Sequence, residues 1–167
     1  IEQPTDITKW WRDDLVSFLL GCSFSFEQAM LHSGLPLRHI EEGKNVPMYR
    51  TNLSCQPAGY FHGNNVVSMR PIPLTSLQEA IRITAQYPFA HGEPIHVGDP
   101  AAIGIEDLQS PDFGDAVTVR DGEIPVFWAC GVTSQSVLLE STIEFAITHS
   151  PGCMFVSGLK SNEFAWG

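Results

Sequence analysis

Between Val46 and Pro73 the chain reads VPMYRTNLSCQPAGYFHGNNVVSMRPIP, which gathers Tyr49, Arg50, Asn52, Cys55, His62 and Arg70 among turn-forming residues. Arginine in or beside a strand pairs with a carboxylate, either a ligand's or the protein's own. The reading taken here is the ligand's, with Arg50 and Arg70 gripping a carboxylate and Asn52 and His62 as further substrate-binding groups. Tyr49 and Cys55 add a phenol and a thiol that could move protons. A second group lies in HGEPIHVGD, where His96 and Asp99 are three residues apart and can form an imidazole–carboxylate pair or serve a structural role. His91 and His96 with Asp99 could also offer ligands to a metal, but their spacing matches no established zinc pattern and no metal is expected. A third group is GCSFSFE: Cys22 near a helix start is either a reactive thiol or an inert buried one, and Glu27 is either an inward acid or a solvated surface glutamate.

These groups sit in a chain of 167 residues with formal net charge −10 and only nine Lys and Arg, none of them clustered. A nucleic-acid partner is therefore not expected, and an anion site has to be a local positive pocket set against an acidic whole. No apolar run reaches the roughly 18 residues that span a bilayer, so no membrane role is expected. Four cysteines without a CxxC pair fit a reducing compartment, and the cytoplasm is the expected location. Neither GxGxxG nor GxxxxGK occurs, which removes the support for a nucleotide cofactor; none is expected. The opening IEQPTDITKWW carries neither initiator methionine nor signal peptide and reads as part of a longer protein.

The elements that must position the candidates follow from periodicity and turn chemistry. The pattern predicts a helix over Ile7–Leu20 capped by Thr5 or Asp6, and a second over Phe26–His32 capped by Ser23 or Ser25 and ended by Gly34 and Pro36. Strands are predicted at Met48–Leu53 and Val66–Arg70, the latter stopped by Pro71 and Pro73, and a helix from Thr75 or Ser76 to Gln86. Pro94–Val97 reads as a short strand. Asp115–Arg120 and Ile124–Ala129 read as a hairpin about Asp121-Gly122. A helix capped by Thr133 and two last strands, Phe145–Thr148 and Met154–Ser157, complete the order; Trp128 reads as core. Such an order is mixed α/β (α+β) rather than doubly wound.

Taken together, FLLGCSFSFEQAM, RHIEEGKNVPMYRTN, AGYFHGNNVVSMRPIP, HGEPIHVGDPAAIGI, PDFGD and PVFWACGVTSQ closely resemble the D-glutamate cyclase family, the YcsI-like hydro-lyases. The resemblance runs from about Thr5 to about Val156 and assigns 1–156 to the family domain, with 157–167 expected as a loose tail and a further N-terminal part of the domain expected before Ile1. It implies an α/β fold of two joined sandwich-like lobes with mixed sheets and short helices. It also implies a cofactor-independent carbon–oxygen lyase activity, the cyclising dehydration of D-glutamate to 5-oxo-D-proline, and a mitochondrial location for a eukaryotic member. The residues from which that chemistry is expected are Arg50 and Arg70 for the carboxylate and His96 with Asp99, Cys55, Tyr49 or Glu27 for proton transfer. The expected partner is a small acidic molecule, with a homo-oligomer left open. Two other readings stand beside it, a non-catalytic small-carboxylate binder or sensor and a metal-dependent hydrolase using His91 and His96.

Overall fold

Strand β2, Asn64–Pro73, is buried along most of its length because it has a strand on both sides and a packed layer on both faces. In the computed structural model, which describes residues 2–165, four antiparallel strands form one sheet in the order β1 (Met48–Ser54), β2, β4 (Glu123–Ala129), β3 (His96–Val97). Four helices accompany it: α1 (Phe24–His32), α2 (Arg38–Glu41), α3 (Leu77–Ala85) and α4 (Val132–Glu140). The chain is a mixed α/β protein.

Side chains alternate across a strand, so β2 serves two different layers. Val67 and Met69 join Tyr49, Phe127, Ile103, Ile105 and Val117 in a cluster on one face, under irregular chain. Ser68, Arg70 and Ile72 point the other way. There Ile72, Val126 and Trp128 meet Phe26 and Met30 of α1 and Ala80 and Ile83 of α3. The registers Ser68↔Trp128 and Arg70↔Val126 place two polar side chains inside this helix-covered layer. That is the unusual feature of the fold, since buried polar groups have to be paired within the protein.

Several sequence expectations meet the structure with shifted limits, and the differences have physical causes. Pro71 and Pro73 lie inside β2 rather than stopping it. β1 pairs with β2 only as far as Met48↔Ser68, so beyond that point β2 has a free edge and a missing proline N–H costs no ladder bond. Asp115–Arg120 is not a strand, because β2 and β3 already occupy both edges of β4. Its backbone is bound instead by loop groups, with Asp115 donating to the Asn45 carbonyl and Thr118 to Glu42. In place of a helix over Ile7–Leu20 there is one 3-10 turn, Thr8–Trp10, in which Asp6 accepts from the Thr8 backbone and hydroxyl. The apolar side chains Val16, Phe18, Leu19 and Leu20 are exposed, so the segment lacks the buried stripe that stabilises helices in proteins. The segments 145–148 and 154–157 are likewise irregular rather than strands.

Candidate active site

Arg70 has no exposed surface and is bound on every side. Its Nε donates to Glu27 Oε1 at 2.9 Å and its Nη2 reaches the same oxygen. Nη1 donates to Ser68 Oγ at 3.0 Å and Nη2 to Ser23 Oγ at 3.1 Å. The guanidinium is flanked by the rings of Phe26 (5.2 Å to centroid) and Trp128 (5.5 Å). His39 Nε2 lies 3.2 Å from the same Glu27 oxygen. Burial pushes the Glu27 carboxyl up, but Arg70 and the hydrogen bond from His39 outweigh it and hold the group below its usual range. Of the two pairings the sequence left open for Arg70, the structure contains the internal one, with Glu27 facing inward from α1.

Ser23 occupies the N-cap position of α1, yet its hydroxyl caps nothing because it is drawn to Arg70. The Cys22 thiol faces the backbone N–H groups of Phe24 and Ser23 instead. The start of α4 repeats the arrangement: Gly131 is at the N-cap, and the Cys130 thiol faces the N–H groups of Val132 and Gly131. Thr133, expected as the cap, lies within the helix, and its hydroxyl both accepts from the Val66 N–H and donates to the Val66 carbonyl. The two helix starts come together through glycines. A Cβ on Gly131 would sit 3.7 Å from the Gly21 carbonyl oxygen, and one on Gly21 would be 1.7 Å from the Phe89 carbonyl oxygen. Only glycine allows the approach of Gly21 to Phe89, whereas a Cβ at Gly131 would make an ordinary contact.

Beside them the chain turns at His91, which has φ 78°, the one positive value among the described non-glycine residues. The His91 ring is held by the Gly21 backbone, while its Nε2 is buried and makes no hydrogen bond among the described residues. Leu20, Gly21, Asn65, Phe89, His91, Cys130, Gly131, Thr133 and Ser134 line a cleft of about 410 Å³ with Pro88 and Ala129. That volume lies in the range of small-molecule sites, roughly 300–1,000 Å³.

Electrostatics orient the cluster. Burial lowers the His91 pKa and the Arg70 charge lowers it further, so the imidazole is neutral near pH 7. Burial raises both thiols above the usual cysteine value; the helix N–H groups and Arg70 offset only part of this, and at Cys130 the neighbouring Cys22 adds to the rise. Arg70 acts on Cys22, Cys130 and His91 alike, and at Cys22 its pull exceeds the push of Glu27. His91 and Cys130, both on the cleft wall, thus feel the buried Arg70 charge. The N-terminus of α4, which begins at the cleft wall, adds partial positive charge there.

The other candidates lie elsewhere. His96 Nε2 meets the Asp99 backbone carbonyl at 2.8 Å, whereas the Asp99 carboxylate caps the 3-10 turn Pro100–Ile103 through the Ala101 N–H. The imaged imidazole–carboxylate pair is therefore a turn contact. Tyr49 is buried on the opposite face of the sheet and donates to the Leu108 carbonyl at 2.7 Å; burial and then Asp107 and Asp112 push its pKa up. Arg50 is exposed over the Phe113 ring and shares with Tyr49 a cavity of about 330 Å³ whose walls include Glu106, Asp107 and Asp112. Three carboxylates there oppose an anionic ligand. Asn52 and His62 are exposed and Cys55 half-buried around the β1–β2 connection. Among the described residues no three His, Cys, Asp or Glu side chains are grouped for a metal, and no helix is long and apolar enough to cross a membrane. His39 and Ser68 were not singled out from the sequence, and Cys130, noted with Cys55 as a thiol in polar company, was not among the expected site residues. The usable signal was the Gly-Cys and Cys-Gly dipeptides placed just before two helices, where a thiol meets free N–H groups.

Comparison with known proteins supplies the remaining context. The family described as D-glutamate cyclase matches residues 16–158. A Natranaerobius thermophilus protein named "Putative hydro-lyase" is 62% identical over 162 residues, covering 97% of this chain and 62% of that protein. A Psychrobacter arcticus protein of the same name is 56% identical over 165 residues (99% and 63%), and "Putative hydro-lyase YcsI" of Bacillus subtilis is 56% identical over 164 (98% and 64%). The chain thus spans a little over three fifths of the length of these relatives. With a match over most of its length and identities of this order, the chain belongs to the D-glutamate cyclase family.

Proposed function

We propose that this chain carries the reaction centre of a cofactor-independent carbon–oxygen lyase acting on a small acidic amino acid, and that the reaction is cyclising dehydration of D-glutamate to 5-oxo-D-proline. The observation that carries this reading is the positive floor of the cleft. In a chain of net charge −10, the start of α4 (Gly131, Thr133 and Ser134) lines the cleft beside His91 and Cys130, and the buried Arg70 charge acts on both of those side chains. A substrate carboxylate in the cleft is drawn by the positive end of α4 and the buried Arg70 charge, rather than by a free arginine fork. Arg70 then acts through position and charge, because its own hydrogen bonds are spent on Glu27, Ser23 and Ser68.

Cyclisation requires the substrate ammonium to lose a proton before its nitrogen can attack the γ-carboxyl carbon. His91 is the matching base: neutral, held by the Gly21 backbone, on the cleft wall, and with a buried Nε2 that has no hydrogen-bond partner among the described residues. Negative charge that develops on the γ-carboxyl oxygen falls within the field of the α4 start, which needs no reorganisation at the moment of reaction. The test is incubation of the full-length protein with D-glutamate and detection of 5-oxoproline by mass spectrometry. Formation of the product, and its absence with D-glutamate alone, is the expected result. Binding by calorimetry without turnover would instead make the protein a carboxylate binder.

A further inference from the structure

Closing glutamate into its lactam moves two protons from the ammonium nitrogen to the oxygen that leaves as water. The site proposed above therefore needs two carriers, one empty and one loaded when the substrate arrives. His91 is the empty one. Glu27 cannot be the loaded one, since Arg70 and His39 keep it ionised. The Thr133 hydroxyl is committed to Val66, and that of Ser134 donates to the Gly131 carbonyl at 2.8 Å. The Cys22 thiol is turned to Met154 Sδ at 3.3 Å and is absent from the cleft wall. Cys130 remains. It lines the same cleft as His91, faces the N–H groups of Gly131 and Val132, and directly precedes Gly131, which lies against the Gly21 carbonyl.

We propose that Cys130 is the general acid of this site, donating its thiol proton to the γ-carboxylate oxygen as the amine closes on the carbon. This rests on the lyase reading and names its second proton carrier. The balance closes without any other reactant. His91 Nε2 takes one proton from the ammonium, and the Cys130 S–H bond breaks to form the O–H bond of the γ-carboxyl. Attack then forms the C–N bond and leaves a tetrahedral carbon bearing O⁻, OH and a protonated nitrogen. The Cys130 thiolate, held by the two helix N–H groups, takes the surplus proton from that nitrogen. His91 returns its proton to the hydroxyl, the C–O bond breaks, and water leaves. Both side chains end as they began. Burial suits this division of labour, since it keeps the thiol loaded and the imidazole empty at neutral pH. The charged or titratable groups that act on Cys130 are Arg70, which favours the thiolate, and Cys22, which opposes it.

The experiment compares the full-length wild type with Cys130→Ser, and with Cys153→Ser as a control for thiol loss at an exposed position. 5-Oxoproline formation from D-glutamate is followed across pH, alongside calorimetric binding. Cys130→Ser should bind D-glutamate as the wild type does, lose about 10²–10⁴ in kcat, and lose the alkaline limb of the kcat profile. A merely structural thiol would not move that limb. If Cys130→Ser fails to fold, iodoacetamide on the wild type gives the answer: inactivation should track alkylation of Cys130, and D-glutamate should slow both. Activity retained in Cys130→Ser, or after complete alkylation of Cys130, overturns the inference and leaves the lyase reading standing. A wild type that forms no 5-oxoproline overturns both.

Discussion

Replacing Arg70 by Met tests whether the buried ion pair is the foundation of the cleft. The substitution keeps much of the side-chain volume and removes the charge. It leaves Glu27, itself only 8% exposed, with the His39 Nε2 contact at 3.2 Å in place of the two contacts from Arg70. It also strips the donor from the Ser23 and Ser68 hydroxyls. Breaking a buried pair by removing one partner typically costs about 3–5 kcal/mol, because the remaining charge keeps its desolvation penalty and loses its compensation. The expected loss for Arg70→Met is in that range, read from the urea midpoint at unchanged slope. Glu27→Gln should be destabilising for the converse reason. The double variant Arg70→Met/Glu27→Leu removes both charges and should be far less destabilised than the sum of the single changes.

Acidification gives an independent check. The Glu27 carboxyl sits below its ordinary value of 4.5 when folded. A carboxyl with a depressed folded pKa binds more protons in the unfolded chain, so its contribution is complete above the unfolded value and fades as pH falls through the folded one. The stability gap between wild type and Glu27→Gln should therefore be widest near neutrality and should narrow below about pH 4.5. If Arg70→Met unfolds within about 1 kcal/mol of wild type, or if the double variant is strictly additive, the pair is not the coupled buried unit described here.

Gly21→Ala should cost more than about 3 kcal/mol, beyond ordinary overpacking, because the new Cβ would lie 1.7 Å from a backbone oxygen, that of Phe89; thermal melting checks it. His91→Asn tolerates the left-handed backbone at φ 78° but removes the base. The acid limb of kcat/KM, expected below the ordinary histidine value of 6.5 in the wild type because burial and Arg70 depress His91, should vanish in this variant while folding is retained. An unchanged limb would remove His91 from the chemistry.

Local patterns made most of the helices and the central strands legible. Apolar spacing and Gly34 marked α1, the Asp121-Gly122 turn marked the start of β4, and a one-sided apolar face marked α3. What failed were segments whose patterns only tertiary pairing could complete. Asp115–Arg120 alternates as a strand should, but the sheet has no free edge for it beside β4. Ile7–Leu20 has helical spacing, yet Leu19 is 85% exposed and no stripe is buried. The prolines of β2 misled in the opposite direction, since a proline is harmless at the edge that β1 leaves open.

The site was harder to read than the fold for a reason visible in Arg70 and His96. Each looked functional singly, by residue type and by position at a strand. His96 is spent on a local turn, while Arg70 is placed by contacts between residues far apart in the chain, its own with Glu27 first, and the cleft near it by those of Gly21 with Phe89 and Gly131 with Gly21. Apart from the ion pair, those contacts are made by glycines, which carry no chemical signature of their own. Ser23 shows the consequence most directly. Sequence rules assign its hydroxyl to the helix cap, but a buried guanidinium competes for it and wins, because a charge-assisted bond is stronger than a neutral one. The cap is then left to the Cys22 thiol. At α4 the cap position is Gly131, which has no side chain to offer, and the Cys130 thiol takes the same role. Both thiols thereby reach helix N–H groups and the Arg70 field, but only Cys130 also lines the cleft with His91, and that placement is what turns an otherwise ordinary buried cysteine into a candidate for proton transfer.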